Sequence, residues 1–396
     1  MRRIRAMVVD DSAAVRRLLV EILGGDPGVE VVSSASNGRE ALATLERVWC
    51  DIVILDVEMP EMSGPAVLRE LQKRPRRPQV LVFTSINQRG AQATLEALSL
   101  GASDFVAKPS QAGSPGASVA QIRADLLPRI HALCDPARSR PPPDPSAPPG
   151  RDQVLQQPSS PPAAVQELAV REPPPDAPPR TRPQRQPWSL PANAPRILAI
   201  GASTGGPAAL NALLSALPRD FPLPIVVVQH MPAAFTRQLA ERLSVHTRLR
   251  VREAVDGAPL EAGEVSLAPG DFHLEVRGLP GHATTRLHQG ERENSCRPAV
   301  DVLFRSLAAS FGPSTLAVVL TGMGQDGLLG ARDLRAAGAT LIAQDEATSV
   351  VWGMPGKVAT AGLGAQVLPL PAIAPEVLRL LGLRPTFAHL SSSVGG

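Results

Sequence analysis

Residues 196–207 read Arg196-Ile197-Leu198-Ala199-Ile200-Gly201-Ala202-Ser203-Thr204-Gly205-Gly206-Pro207. A short apolar run, Arg196–Ile200, breaks into glycines, and a helix-patterned run, Pro207–Leu217, follows. A brief continuous apolar segment bounded by glycine matches a strand buried on both faces. Two more such segments lie outward from it: Ile225–Gln229, and Leu316–Leu320, which runs into a glycine-rich turn. Strand, helix and strand in alternation imply an α/β domain with a mainly parallel sheet, and the stretch at about 250–290 is more β-like.

Working back from residue 195, the composition changes. Of the 42 prolines, nineteen fall between Pro136 and Pro195, in runs such as Pro141-Pro142-Pro143 and Pro173-Pro174-Pro175. Proline removes a backbone donor and fixes φ, so this stretch reads as a semi-rigid, partly polyproline II linker. One island within it, Ala163–Val170, has the composition of a short helix or of a passing apolar patch. The expected division is a first domain over 1–130, a linker over 131–194, a second domain over 195–385 and a disordered tail over 386–396. Each folded piece is long enough to bury its own core.

The first domain also alternates. Strands are expected at Ala6–Val9, Val29–Ala35, Ile52–Leu55, Val80–Thr84 and Asp104–Ala107, with helices such as Ala13–Leu23 and Gly38–Val48 between them. This implies a parallel sheet covered by helices on both faces, with function at the carboxyl ends of the strands.

Bulk properties exclude several classes. The chain has 396 residues, 43% hydrophobic and 19% charged, and no apolar run long enough for a membrane span. The basic start, Met1–Ser12, lacks the apolar core of a signal peptide, which leads to the expectation of a cytoplasmic protein. Three scattered cysteines, Cys50, Cys134 and Cys296, argue against a disulfide framework or a zinc cluster. A net charge of +3, no tyrosine and eight phenylalanines offer neither a basic stripe nor a stacking platform for nucleic acid.

Chemistry-bearing residues gather at the expected strand ends. Asp10 and Asp11 follow one strand and Asp56 another; adjacent carboxylates with room for water suit Mg²⁺. Thr84 and Lys108 end two later strands, and a hydroxyl and an ammonium suit the oxygens of a phosphoryl group on Asp56.

In the second domain, Gly201-x-Ser203-x-Gly205 fits a nucleophile elbow, in which glycines allow a sharp strand-to-helix turn that lifts the serine into reach. The spacing also approaches a dinucleotide fingerprint, but the next strand ends in Gln229-His230 instead of an acid. His230, at the rim of that strand, is placed to act as general base, whereas His246, His273, His282 and His288 lie away from such a rim. Asp326 is the only carboxylate of the turn Thr321–Gly327 and is the candidate to orient the imidazole; main-chain N–H groups there suit an oxyanion. The order Ser…His…Asp differs from that of α/β-hydrolases, which would need Asp256 or Asp271 with His273 or His288.

Residues 4 to about 125 resemble the response-regulator receiver domain, through VVDDS, ILDVEMP, FTS and AKPS. That resemblance implies a flavodoxin-like, five-stranded parallel sheet and phosphorylation of Asp56 by a histidine kinase. Asp10, Asp11, Asp56 and the backbone carbonyl of Glu58 would hold Mg²⁺, Thr84 and Phe105 would form the switch pair, and Lys108 would contact the phosphoryl group. Phe105 lacks the hydroxyl that many receivers carry there.

Residues from about 195 to 384 resemble the catalytic domain of chemotaxis-type protein-glutamate methylesterases, the CheB family, through GASTGGP, VVVQHMP, LAPG, SCRPAVDVLF and LTGMGQDG. The resemblance implies Ser203, His230 and Asp326 as a catalytic triad, with Thr204 and the backbone N–H of Met323 at the oxyanion. It implies methylated chemoreceptors as substrate, glutamine deamidation as a second activity and no cofactor for the ester chemistry. A receiver tethered to a serine site further leads to the expectation that the unphosphorylated receiver covers the Ser203 rim. The linker is longer than the family's tether.

Overall fold

The structure is a computed structural model that describes residues 2–108, 115–134 and 190–383. Residues 135–189 of the expected linker, the Ala163–Val170 island within them and the tail over 386–396 lie outside the described residues.

The first domain runs β1 (Ile4–Val9), α1 (Ala13–Gly24), β2 (Val29–Ala35), α2 (Gly38–Leu45), β3 (Ile52–Leu55), α3 (Gly64–Gln72), β4 (Gln79–Thr84), α4 (Gln88–Ser99), β5 (Asp104–Ala107) and α5 (Pro115–Leu133). The strands are parallel in the order β2-β1-β3-β4-β5. Helix starts are set by side-chain caps: Ser12 accepts from Val15 N, Asn37 from Glu40 N and Asn87 from Gly90 N. α2 stops at Leu45, short of the expected Val48, because its last turn tightens and Arg47 N and Val48 N both bond to Thr44 O. α5 runs past the boundary drawn at 130, with Ile130 and Leu133 both buried.

The second domain runs β6 (Ile197–Ala202), α6 (Gly206–Ser215), β7 (Ile225–Gln229), α7 (Ala233–His246), β8 (Arg250–Glu253), β9 (Glu264–Leu267), β10 (His273–Arg277), β11 (Thr284–His288) and α8 (Val300–Ser310). It continues through β12 (Thr315–Val319), α9 (Leu328–Ala336), β13 (Thr340–Gln344), α10 (Met354–Thr360), β14 (Gln366–Leu368) and α11 (Leu370–Leu380). Seven strands form one parallel sheet in the order β14-β13-β12-β6-β7-β9-β8, and β10 and β11 form a separate antiparallel hairpin. β6, β7 and β12 are buried along their whole length, as strands covered on both faces must be. β6 extends through Gly201 and Ala202, which pair with Val228 and Gln229. Gly201 is required for packing: a Cβ there would sit 2.5 Å from Val300 Cγ1, so α8 lies directly on the strand.

Both sheets reverse their winding at one place. In the first sheet this is between β1 and β3, and in the second between β6 and β12. A crevice opens at such a point beyond the carboxyl ends of the strands. Asp10 and Asp56 flank the first crevice; Ser203 and the Thr321–Gly327 turn flank the second.

The two domains share a core. Leu95 and Leu98 of α4 belong to the same apolar cluster as Leu210 and Leu213 of α6 and Phe235 and Leu239 of α7. The Phe105 ring lies 4.7 Å from that of Phe235. Polar bonds frame this contact: Gln238 Nε2 donates to Gln88 O (3.2 Å), and Arg242 Nη2 donates to Ser99 Oγ (2.6 Å).

Candidate active site

Ser203 stands where β6 turns into α6. Its N–H donates to Thr321 O (3.1 Å), which ties the turn to the loop after β12. Gly205 follows with φ 75°, left-handed backbone open to glycine at little cost, and caps α6. His230 ends the adjacent strand, and its N–H completes the ladder by donating to Ala202 O (3.1 Å). Nucleophile and base candidates therefore lie side by side on one rim.

Asp326 meets His230 directly, Oδ2 to Nε2, at 2.8 Å. Its other partners hold it as an anion. Val300 N (2.6 Å) donates to Oδ2, and Asp301 N (3.0 Å), Gly327 N (3.0 Å) and Asn294 Nδ2 (3.0 Å) donate to Oδ1. The first two donors open α8, where unpaired N–H groups and the helix dipole favour negative charge. Burial pushes the Asp326 carboxyl up, but His230 and these N–H groups outweigh it and hold it below the usual carboxylate range. Asp301, nearby, moves the opposite way: burial raises it, Gly330 N lowers it and the charge of Asp326 raises it further.

Burial disfavours the imidazolium of His230, yet the Asp326 carboxylate and the Cys296 sulfur outweigh it and raise the imidazole well above its ordinary value. With Nε2 on Asp326, Nδ1 is the nitrogen left for a substrate or nucleophile. It faces Cys296 Sγ at 3.6 Å. Among the described residues no hydrogen bond joins the Ser203 hydroxyl to His230. Of the three expected triad members, two are in contact and the third is a strand neighbour.

Thr204 is buried, its carbonyl held by Thr321 Oγ1 (2.9 Å), while its own hydroxyl donates across the domain boundary to Asp104 Oδ2 (2.6 Å). Met323 is half-buried in the turn after β12. The intervening Gly322 leaves no space: a Cβ there would lie 2.9 Å from Ser203 Cβ and would also strike Met354 Sδ. Gly322, one residue before Met323, is thereby packed against the serine.

The alternative acids and histidines serve the scaffold. Arg297 binds Asp271 (2.6 Å), and Asp256 accepts from Leu287 N (2.8 Å). Both ring nitrogens of His273 are engaged, by Glu291 O and Ala299 N, and His288 Nδ1 accepts from Gly290 N.

Sequence reading missed Asn294, Cys296 and Asp301 as neighbours of the candidate residues His230 and Asp326. Asn294 (φ 51°) and Ser295 (φ 63°) form a two-residue left-handed turn closed by Glu293 and Cys296. Asparagine in a turn of that type was the available signal, but nothing in the sequence says that the turn folds onto Asp326 and His230.

In the first domain, Asp10, Asp11 and Asp56 each offer an oxygen within 4.8 Å of the others. Asp10 and Asp56 are buried and Asp11 is exposed. An oxygen-only set with an open side fits a Mg²⁺ ion. Lys108 Nζ bridges Asp10 Oδ2 (2.9 Å) and Asp56 Oδ2 (2.8 Å), and Glu58 N donates to Asp56 Oδ1 (3.2 Å). Burial raises the Asp56 carboxyl despite Lys108. Thr84, also buried, turns its hydroxyl to Gly90 O (3.4 Å) at the start of α4.

Residues 198–377 match the family described as CheB methylesterase, and residues 6–114 match the response regulator receiver domain. A protein-glutamate methylesterase/protein-glutamine glutaminase of Nocardioides sp. is 47% identical over 378 residues, 96% of this chain and 95% of that protein. One of the same name from Trichodesmium erythraeum is 42% identical over 383 residues, 96% of this chain and all of that protein. The crystal structure of the Thermotoga maritima CheB methylesterase catalytic domain is 44% identical, covers 47% of this chain and 99% of its own, with a TM-score of 0.46. The chain belongs to the CheB methylesterase family, with a response regulator receiver domain ahead of its methylesterase domain.

Proposed function

We propose that the protein is a phosphorylation-activated serine hydrolase that cleaves glutamate methyl esters on chemoreceptors and deamidates receptor glutamines, in the adaptation branch of a chemosensory pathway. The observation that carries the reading is the His230–Asp326 contact at 2.8 Å on the rim that Ser203 shares. His230 Nδ1 takes the Ser203 proton as Oγ attacks the ester carbonyl; Asp326, already ionised, stabilises the imidazolium. The N–H groups of Thr204 and Met323 receive the oxyanion. The imidazolium returns its proton to the departing methoxide, methanol leaves, and water attacks the acyl-serine by the same route in reverse, freeing glutamate. An amide substrate releases ammonia instead. The ester chemistry uses no cofactor.

In the receiver, Asp56 accepts the phosphoryl group from a histidine kinase. Asp10, Asp11, Asp56 and the Glu58 carbonyl would hold Mg²⁺, which would supply charge neutralisation for the phosphoryl group; Lys108 grips a phosphoryl oxygen. Thr84 leaves Gly90 O for the phosphoryl group, Phe105 moves with it, and the α4–β5 surface loosens from α6 and α7. The Asp104–Thr204 bond beside the nucleophile supports this gate, as does the apolar cluster that joins Phe83 and Val106 to Val351 and reaches Met323.

The test is methanol release from methylated receptor membranes, with acetyl phosphate as phosphodonor. Wild-type release should rise with the phosphodonor, and Ser203→Ala, folded by circular dichroism, should release none. Turnover retained by Ser203→Ala would falsify the nucleophile assignment.

A further inference from the structure

Gln229, the residue before His230, is almost completely buried, and its side chain is turned back toward the rim. Nε2 donates to two main-chain oxygens, Ser203 O at 2.9 Å and His230 O at 3.3 Å. The amide orientation is decided by those partners: rotated the other way, Oε1 would face two carbonyl oxygens. Oε1 itself has no hydrogen-bond partner and lies over Gly206, the first residue of α6. A buried amide oxygen without a partner costs free energy, so the fold retains this side chain against a penalty.

The strand geometry says what it does there. The β6–β7 register ends at Ala202 opposite Gln229, and its last main-chain bond is His230 N to Ala202 O. Beyond that rung the strands part. Ser203 N turns to Thr321 O on the other side, and Ser203 O keeps one main-chain partner, Gly206 N at 2.7 Å. We propose that Gln229 is a positioning residue for the hydrolytic reaction: its carboxamide replaces the missing rung and fastens the backbones of nucleophile and base to each other. The inference rests on the serine–histidine reading above. Gly206 is the second part of the device, because a Cβ there would occupy the space of Gln229 Oε1 and drive the amide off both carbonyls.

The experiment compares full-length wild type, Gln229→Met, Gly206→Ala and Ser203→Ala. Each is assayed for methanol release from methylated receptor membranes with acetyl phosphate, for inactivation by a fluorophosphonate and for thermal midpoint. Misplacing reacting groups by about an ångström costs on the order of 10²-fold. Gln229→Met should lower kcat by about that factor with KM unchanged, and should slow fluorophosphonate inactivation in parallel. Gly206→Ala, a change on another element that by helix propensity alone is favourable, should reproduce both effects. If either variant folds and keeps kcat and the inactivation rate within about threefold of wild type, where the pair should show the 10²-fold loss, the positioning role is wrong. A loss that follows the thermal midpoint while the fluorophosphonate rate stays normal also overturns it. Turnover by Ser203→Ala defeats the triad reading instead, so the two failures are separable.

Discussion

At His230 two neighbours compete with burial over one proton. The imidazole is raised by Asp326 and by the sulfur of Cys296, so the neutral form needed for a base appears only at higher pH. The rate should climb as pH rises through that raised value. Removing a group that raises the imidazole lowers it again. Cys296→Ala should therefore move the rising limb of the kcat/KM profile toward lower pH and increase the rate near neutrality, the Asp326 contact being intact. A limb that stays in place or moves to higher pH would show that the sulfur does not bear on this proton. The residue alphabet alone singled out Ser203, His230 and Asp326 as candidates, because each ends or follows a strand in a βα unit. Cys296 was not, since it ends no strand and sits in a turn whose folding onto His230 no local pattern encodes.

At the scale of elements, the site is a meeting of turns. The turn after β12 touches the serine through Gly322, the α8 start feeds two N–H groups to Asp326, and the 293–296 turn adds Asn294 and Cys296. Gly322→Ala should place a methyl group against Ser203 Cβ and Met354. The expected cost is about 1–3 kcal/mol of stability for overpacking. Esterase activity should fall by more than that loss of folded protein explains, as read by urea titration alongside turnover. Normal specific activity in the folded fraction would mean that the turn has room to move. Glycine spacing in 322–327 made a tight turn legible, whereas the hairpin of β10 and β11 with the turn beyond it was seen only as a β-like middle.

At the scale of the molecule, the receiver and the hydrolase share two apolar clusters, and a buried polar link joins Asp104 to Thr204. Asp104 also holds Arg129 Nε (3.2 Å), so α5, β5 and the elbow are linked in series. If this contact favours the closed arrangement, weakening it shifts the population without phosphate. Phe105→Ala and Asp104→Ala should each raise basal methanol release, by roughly 5–150-fold if the coupling is of ordinary size. Deleting residues 1–194 should do the same. An unchanged or lower basal rate in all three would count against the gate. Asp56→Asn should leave the basal rate alone and abolish the response to acetyl phosphate; a persisting response would place the phosphoryl group elsewhere.

The sequence by itself determined the two α/β sheets and the strand-end residues at both crevices. These follow from local apolar period, glycine and proline chemistry, and the rule that parallel strands present their carboxyl ends to one side. Only the tertiary structure decided that His230 Nε2 meets Asp326 and leaves Nδ1 facing Cys296. It alone brought Asn294 onto the carboxylate, folded the Gln229 amide back across the rim and set Asp104 on Thr204. Each of these is a contact between segments remote in the chain or a choice of side-chain direction. Both are settled by packing, which no local pattern encodes.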